Sequence, residues 1–406
     1  MAVALKYKEI ARMSAIKLPD LSGKTILQVI PDLQAGGAER TTLEVAEAII
    51  EAGGRALVVS EGGRLVPALE RMGGLNIELK VRSKNPVTMK LNGGKLARLI
   101  SAQSVDLIHA RSRAPAWSAY WAAQQAGIPF VTTYHGAYSG VSGMKRKYNS
   151  IMARGDVVIA NSEWTAAHVR SVHDTPREKM VTIPRGVDFD EFDASVVSEE
   201  RKQAIRTAWE ISPNEKRLVL LLPGRLTEWK GQKIAIDAMA SLSGAERVKL
   251  LLVLAGDAQG RSAYVAALED RIIEAELGGS VRIVGHCEDM PAAYAVSDIV
   301  LAPSTRPEAF GRVAAEASAM GKPVIVADHG GQKEIVVEGT TGSRAEPGNA
   351  ADLAASIRAI LQLGEQGRAG MGEAGRQHVR ERFSKRGLQA ATLEVYKRLL
   401  ETHEVK

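Results

Sequence analysis

The feature that most constrains this chain is a row of short, almost uninterrupted apolar runs, spaced widely enough for a helix between each pair. KTILQVI (24–30), ALVVS (56–60), DLIHA (106–110), IPFVTTY (128–134), DVVIA (156–160) and MVTIP (180–184) mark the first half. LVLLLPG (218–224), VKLLLVLAG (248–256), VRIVG (281–285), DIVLAPS (298–304) and PVIVA (323–327) mark the second. A strand that is apolar on both faces must be covered on both faces, which is the condition of a parallel sheet with crossover helices. Residues 38–52, 231–241, 262–276 and 311–320 carry helical patterning, and 350–362, 368–381 and 386–402 close the chain. The same grammar occurs twice without a repeat of residue identities. With 406 residues, the chain also exceeds the roughly 250–300 at which one core stops growing. The expectation is an α/β protein of two Rossmann-like domains, with ligands at the C-terminal ends of the strands, in a cleft that the two sheets face.

The segment GVDFDEFDASVVSEERKQ (186–203) is acidic, then polar, and lacks strand periodicity. It divides the chain into an N-terminal extension (1–21), a first domain (22–187), a linker (188–203) and a second domain (204–385). The extension carries Lys6, Lys8, Arg12 and Lys17. It reads as an unstructured tail, with a lipid-touching helix as the alternative.

Composition removes several classes. Hydrophobic residues at 45% and charged residues at 25% exclude a disordered chain. Aromatics at 4% argue against rows of base-stacking side chains. No apolar run reaches the roughly 18 residues of a membrane span, and no secretion signal is legible at the N-terminus. The single cysteine, Cys287, has no partner for an internal disulfide and reads as a small, partly buried residue. Together these point to the cytoplasm. The net charge of +6 is partly concentrated at Arg111 and Arg113 and at Lys145, Arg146, Lys147 and Arg154. Such clusters suit an anionic lipid surface, a phosphorylated ligand, nucleic acid or a solvated face. No nucleic-acid recognition motif accompanies them.

Four motifs sit at strand ends. QAGGAER (34–40) opens a helix, where Gly36 and Gly37 let a backbone approach a ligand and the helix N-terminus favours phosphate; a plain glycine turn is the alternative. TTYHG (132–136) puts His135 just past a buried strand, where it serves as hydrogen-bond donor, acid or base, or as a structural histidine. His109 is similar in position and as easily read as packing. PGRLTEWKG (223–231) places Gly224, Arg225 and Lys230 around a turn. A forked guanidinium and a point-charge ammonium there suit a diphosphate. RPEAFGRVAAEA (306–317) holds Glu308, Ala309, Phe310 and Gly311 ahead of a helix. Glu316 follows eight positions after Glu308, about two turns on if the helix begins near Gly311. One carboxylate can reach a sugar hydroxyl, the other a ribose, and the loop N–H groups can bind oxygens.

These motifs, with IPRGVDFDEF, AGD, VGH and ADHGG in the same order, resemble a retaining glycosyltransferase of family 4 with the GT-B fold; the resemblance covers residues 22–403. It implies a nucleotide-sugar donor, with UDP favoured, and no cofactor or metal. Asp188-Phe189-Asp190 is then part of the GVD signature rather than a metal site. Gly36 and Gly37 would lie near the donor phosphates, and Arg225 and Lys230 would neutralise them. Glu308, with the Phe310 and Gly311 backbone, would hold the transferred sugar, and Glu316 the ribose. His135 would sit near the sugar's reacting end. The loop His286–Asp289 would frame the base. The last helix (386–406), with Tyr396 and Leu399, would return to the first domain. Arg312 is assigned no role.

The implied chemistry is transfer with retention, by front-face attack while the leaving phosphate takes the acceptor's proton. A lipid-linked saccharide is the preferred acceptor, in surface polysaccharide or lipopolysaccharide assembly, with the protein peripheral on the cytoplasmic face of a membrane. Rival readings are a nucleotide-sugar epimerase or hydrolase on the same fold, and a non-catalytic sugar-nucleotide binding subunit.

Overall fold

The structure is a computed structural model that describes residues 16–34, 36–136, 138 and 143–404. Lys6, Lys8 and Arg12, and most of the 1–21 extension with them, lie outside the described residues. The chain divides into two units, Met1–Gly186 with Lys385–Lys406, and Val187–Ser384.

In the first unit the strands are β1 (Thr25–Val29), β2 (Arg55–Ser60), β3 (Leu75–Glu78), β4 (Leu107–Ala110), β5 (Phe130–Tyr134), β6 (Val157–Ala160) and β7 (Met180–Thr182). They form one sheet in the order β3-β2-β1-β4-β5-β6-β7, and every pair is parallel. The second unit holds β8 (Leu218–Pro223), β9 (Leu250–Ala255), β10 (Val281–Gly285), β11 (Ile299–Ala302), β12 (Val324–Ala327) and β13 (Gly342–Ala345). Their order is β10-β9-β8-β11-β12-β13, again all parallel. The apolar runs form the central strands and two of the edge strands, β7 and β10. β3 (LNIE) and β13 (GSRA) are edge strands that carry no such run.

Each sheet is covered on both faces, as a strand with apolar residues on both sides requires. In β1, Ile26 packs with Val45, Ile49 and Tyr396, while Leu27 and Val29 pack with Leu96 and Ala119 on the opposite face. In β8, Leu220 and Leu222 join Ile236 and Ile357, whereas Leu221 joins Ala314 and Tyr294. Three strands open on an aspartate with one repeated task. Asp106, Asp156 and Asp298 accept the backbone N–H of Thr25, Phe130 and Val219 at 2.6, 2.8 and 2.7 Å. Each satisfies a donor near the start of the neighbouring strand that the ladder leaves open.

The stretch 188–203 was expected to be a linker; it belongs to the second unit. Phe192 and Val197 are buried in its core, and the helix Glu199–Ala208 starts on the Ser198 cap. Its acidic look comes from turn and cap chemistry. Asp188 accepts the N–H of Asp190, and Asp193 caps Ser195 and pairs with Arg376 at 3.2 Å. The last helix, Lys385–Glu404, packs on the helix Gly37–Glu51 within the first unit, where Gln389 donates to the Glu44 carbonyl at 2.8 Å. Among the described residues no helix is long and apolar enough to cross a membrane.

The strand sequence changes direction between β1 and β4 and between β8 and β11. Chains leaving two such neighbours turn to opposite faces and leave a crevice beyond their C-terminal ends, where open α/β sheets bind ligands.

Candidate active site

In the second unit, the two strands flanking this crevice deliver the GRLTEWKG and RPEAFGR motifs. After β8 come Gly224 and Arg225, then a 3-10 turn at Glu228–Lys230 and the helix Gln232–Ser241. After β11 the chain runs through Ser304 to Glu308 and into the helix Arg312–Ala319, with Gly311 at its N-cap. The loops are tied together: Thr305 N–H donates to the Trp229 carbonyl at 2.8 Å. Lys230 Nζ donates to Glu308 Oε1 at 2.7 Å, and Ser304 Oγ donates to the same oxygen at 2.5 Å. Both side chains of the ion pair are largely buried, at 14% and 15% exposure.

Burial alone would raise the Glu308 carboxyl. The Lys230 charge, the hydrogen bonds from Lys230 and Ser304, and the nearby His329 outweigh it and hold Glu308 below the usual carboxylate range. His329 is itself placed by a 2.7 Å hydrogen bond to the Ser304 carbonyl. The ADHGG segment completes the support, because Gly331 N–H donates to the Glu308 carbonyl at 2.7 Å. Gly330 has φ +67°, and a Cβ there would lie 2.5 Å from the Glu308 carbonyl oxygen. That glycine is required for two loops to touch, not for a ligand to approach.

The site is therefore an ionised carboxylate whose Oε1 takes both hydrogen bonds, beside an ammonium with protons to spare. Arg225 is exposed next to it, its guanidinium 5.9 Å from the Trp229 ring centre, with Lys230 Nζ 4.4 Å from the same ring. Phe310 is buried edge-to-face on Phe383, ring centres 5.6 Å apart. Glu316 stands in the second turn of its helix rather than two turns along, because Glu308–Gly311 is not helical. It accepts from the Tyr294 hydroxyl at 3.1 Å and lies 3.9 Å from Arg312 Nη1. Burial first, and then the Glu316 charge, push the Tyr294 hydroxyl well above its ordinary range, so it remains a donor. His286 is exposed at the end of β10. The loop after it is pinned by Asp289, which caps the helix Met290–Ala295 and takes Arg201 in a fork at 2.7 Å on both oxygens. The Cys287 thiol is pushed up to about 11, chiefly by burial, the behaviour of an inert packed cysteine.

Gly36, Gly37 and His135 belong to the first unit. Gly37 opens its helix, yet the space beside it is taken: a Cβ would fall 1.8 Å from Arg185 Nη1. Arg185 Nη2 in turn lies 3.0 Å from His135 Nδ1. Glycine here makes room for a guanidinium. Burial, Arg185 and Arg111 depress the His135 pKa well below its ordinary value, so the ring is neutral. Since Arg185 donates to Nδ1, the ring proton is on Nε2. His109 is structural: it is fully buried between Tyr396 Oη at 2.5 Å and Thr133 Oγ1 at 2.7 Å.

Arg111 and Arg113 do not form the basic surface that their spacing offered. Arg111 is 2% exposed and donates to Gln28 Oε1, while Arg113 stacks over Tyr138 at 4.1 Å. Arg154 lies over Trp117 at 5.3 Å. Lys145, Arg146 and Lys147 are exposed on the helix Gly143–Asn149, and Arg146 faces Asp174 at 3.3 Å. Sequence reasoning missed Ser304, His329, Tyr294, Arg185 and Arg201, whose roles exist only through tertiary neighbours. The HGG glycines were the one visible signal for the 329–331 loop.

Residues 35–191 match the family described as Glycosyltransferase Family 4, and residues 205–378 match Glycosyl transferases group 1. A glycosyltransferase crystal structure from Rickettsia africae aligns with a TM-score of 0.85 at 34% identity, over 93% of this chain and 99% of that one. The Anabaena protein HepE, crystallised in complex with UDP and glucose, aligns with a TM-score of 0.78 at 25% identity, over 92% of this chain and 100% of that one. A D-inositol 3-phosphate glycosyltransferase from Jonesia denitrificans is 30% identical over 267 residues, 57% of this chain and 60% of its own length. Another from Segniliparus rotundus is 32% identical over 235 residues, 56% of this chain and 50% of its own length. The chain thus spans only half to three fifths of these curated relatives.

Proposed function

Because this chain belongs to the family 4 glycosyltransferases of the GT-B fold, we propose that it transfers a sugar from a nucleoside diphosphate to a hydroxyl, with retention. The observation that carries this is the buried Lys230–Glu308 pair at the C-terminal ends of β8 and β11, with Arg225 beside it. Loss of a nucleoside diphosphate concentrates negative charge on the departing phosphate. Arg225 and the Lys230 protons not engaged by Glu308 stabilise that charge without reorganising, the effective form of electrostatic catalysis. Glu308 accepts sugar hydroxyls through Oε2, and the N–H groups of Ala309, Phe310 and Gly311 lie next to it in the loop. An ionised Glu308 is no proton donor, which disfavours a glycosidase-like acid. Front-face attack, with the leaving phosphate taking the acceptor's proton, needs no carboxylate nucleophile. Glu316 holds the ribose, and the loop at His286 frames the base. His135 supplies an N–H to a sugar hydroxyl. UDP is the favoured carrier, supported by its presence in the HepE complex.

For the acceptor, a lipid-linked saccharide of surface polysaccharide or lipopolysaccharide assembly is proposed. The exposed Met144, Lys145, Arg146 and Lys147 suit peripheral docking on anionic lipid. The names of the curated relatives favour a phosphorylated inositol as the second acceptor reading. The test is product analysis with UDP-sugars, with and without each acceptor class. Acceptor-dependent release of UDP, lost in Arg225→Ala, is expected. Turnover without any acceptor would point to the hydrolase or epimerase reading, and release undiminished by Arg225→Ala would contradict the phosphate role.

A further inference from the structure

The tryptophan inside GRLTEWKG stands in sequence between the two cations of that motif. Trp229 lies in the 3-10 turn Glu228–Lys230, after β8 and ahead of the helix Gln232–Ser241. Its backbone is held from the β11 loop: the Trp229 carbonyl accepts the Thr305 N–H at 2.8 Å and the Thr305 hydroxyl at 3.4 Å. The Lys230 N–H closes the turn on the Thr227 carbonyl at 2.9 Å. The indole so fixed is half-buried, and part of its surface stays open.

Both cations lie over this ring. Lys230 Nζ is 4.4 Å from its centre and Arg225 Cζ 5.9 Å, within the roughly 6 Å over which an aromatic face attracts a cation. Lys230 has Glu308 as a second partner at 2.7 Å. The Arg225 guanidinium makes no hydrogen bond and no ion pair among the described residues. Its backbone, by contrast, is tied. The fully buried Gln232 donates its amide N–H to the Arg225 carbonyl at 3.0 Å, and the Gln232 amide oxygen accepts the Tyr264 hydroxyl at 3.2 Å. Burial pushes that hydroxyl up to about 12, so it stays a donor. Polar bonds thus set where Arg225 leaves the chain, and the Trp229 ring sets where its head rests.

An exposed arginine has many rotamers, and two like charges side by side repel. Left to themselves the two heads would drift apart into water. A ring that attracts both opposes that drift, and less ordering is then left for the step that brings in an anion. We propose that Trp229 is a positioning residue, which holds Arg225 and Lys230 over its ring as one preformed pair of cations for a diphosphate. It acts through the two cations and needs no contact with the ligand. This rests on the nucleoside diphosphate reading and adds the device that sets its cations in place.

The test is a double-substitution cycle on the full chain, with UDP as the probe and calorimetric titration as the readout. Trp229→Leu and Trp229→Met keep apolar bulk and remove the ring, and Trp229→Phe keeps a ring face. Each is made in the parent and in Arg225→Ala, with circular dichroism and the urea midpoint to establish folding, and whichever ringless variant folds is read. Loss of the ring is expected to weaken UDP binding about tenfold in the parent, and Trp229→Phe to weaken it by no more than about threefold. Once Arg225 is absent, loss of the ring should cost no more than about threefold, because only Lys230 then remains over it. A tryptophan that merely fills space gives the same loss in both backgrounds and is not rescued by Phe. Either of those results overturns the proposal, as does UDP binding within about twofold of the parent's when the ring is gone. Arg225→Ala alone reports on the underlying reading. If the parent does not bind UDP, or if Arg225→Ala binds it within about twofold of the parent, the diphosphate reading falls and this inference with it. If Arg225→Ala weakens UDP binding and loss of the ring does not, only the role of Trp229 is withdrawn.

Discussion

Replacing Lys230 by Met removes the charge and keeps most of the stem, leaving Glu308 buried with its burial penalty unopposed by an ammonium. Removing one member of a fully buried pair costs about 3–5 kcal/mol. Here the Glu308 side chain is 15% exposed and keeps the Ser304 hydrogen bond, so about 2–3 kcal/mol is the expected loss. For a unit of this size each kcal/mol moves Tm by about 2–4 °C, so thermal unfolding at about pH 7 should fall by about 4–12 °C. The pH dependence fixes the sign. In the parent the folded Glu308 carboxyl is depressed, so its stabilisation is present above the unfolded carboxylate value and fades as pH falls through the folded one. In the variant, burial pushes the carboxyl up instead, so the charged form is penalised at neutral pH and protonation relieves it. The Tm gap between the two proteins must therefore shrink as pH falls from about 7 to about 4.5. The double substitution Lys230→Met with Glu308→Gln should recover most of the loss, since no charge remains to strand. Scanning calorimetry of the three proteins across that range is the assay. A gap below about 1 °C at neutral pH, or one that does not change with pH, refutes the electrostatic account of the pair.

Gly330→Ala places a Cβ 2.5 Å from the Glu308 carbonyl oxygen at φ +67°, so a loss of about 1–3 kcal/mol with displaced Glu308 is expected; urea unfolding unchanged in midpoint would contradict it. Gly37→Ala must push Arg185 off its position 3.0 Å from His135. With one depressing cation withdrawn, the His135 pKa should rise toward its ordinary value, read by NMR titration of the ring, and an unshifted titration would show that Arg185 does not act on it. Tyr294→Phe deletes the 3.1 Å donor to Glu316. Steady-state kinetics should show KM for the nucleotide-sugar raised about 3–10-fold with kcat nearly unchanged, and an unaltered KM would remove Glu316 from donor binding.

The central strands were legible because burial on both faces forces continuous apolar runs. β3 and β13 were not, since LNIE and GSRA carry no apolar run, unlike the other two edge strands, β7 and β10. Residues 188–203 looked like a linker because Asp193 and Ser198 are turn and cap residues, and the two anchors that bury the segment, Phe192 and Val197, are too few to set a period. Residue types at the site were visible at strand ends. Their partnerships were not: Lys230 and Glu308 meet across 78 positions, and Arg111 looked like a surface cation until Gln28 was found beneath it. Gly37 was read as letting a backbone approach a ligand, but the space beside it is taken by Arg185.

The proposal that a nucleoside diphosphate is received by Arg225 and Lys230 is tested most directly by a crystal structure grown with UDP. Density for the terminal phosphate within hydrogen-bonding distance of both side chains, with the ribose hydroxyls on Glu316, is the predicted result. UDP bound with its phosphates away from Arg225 and Lys230, and with the Lys230–Glu308 contact undisturbed and remote from it, would contradict the account.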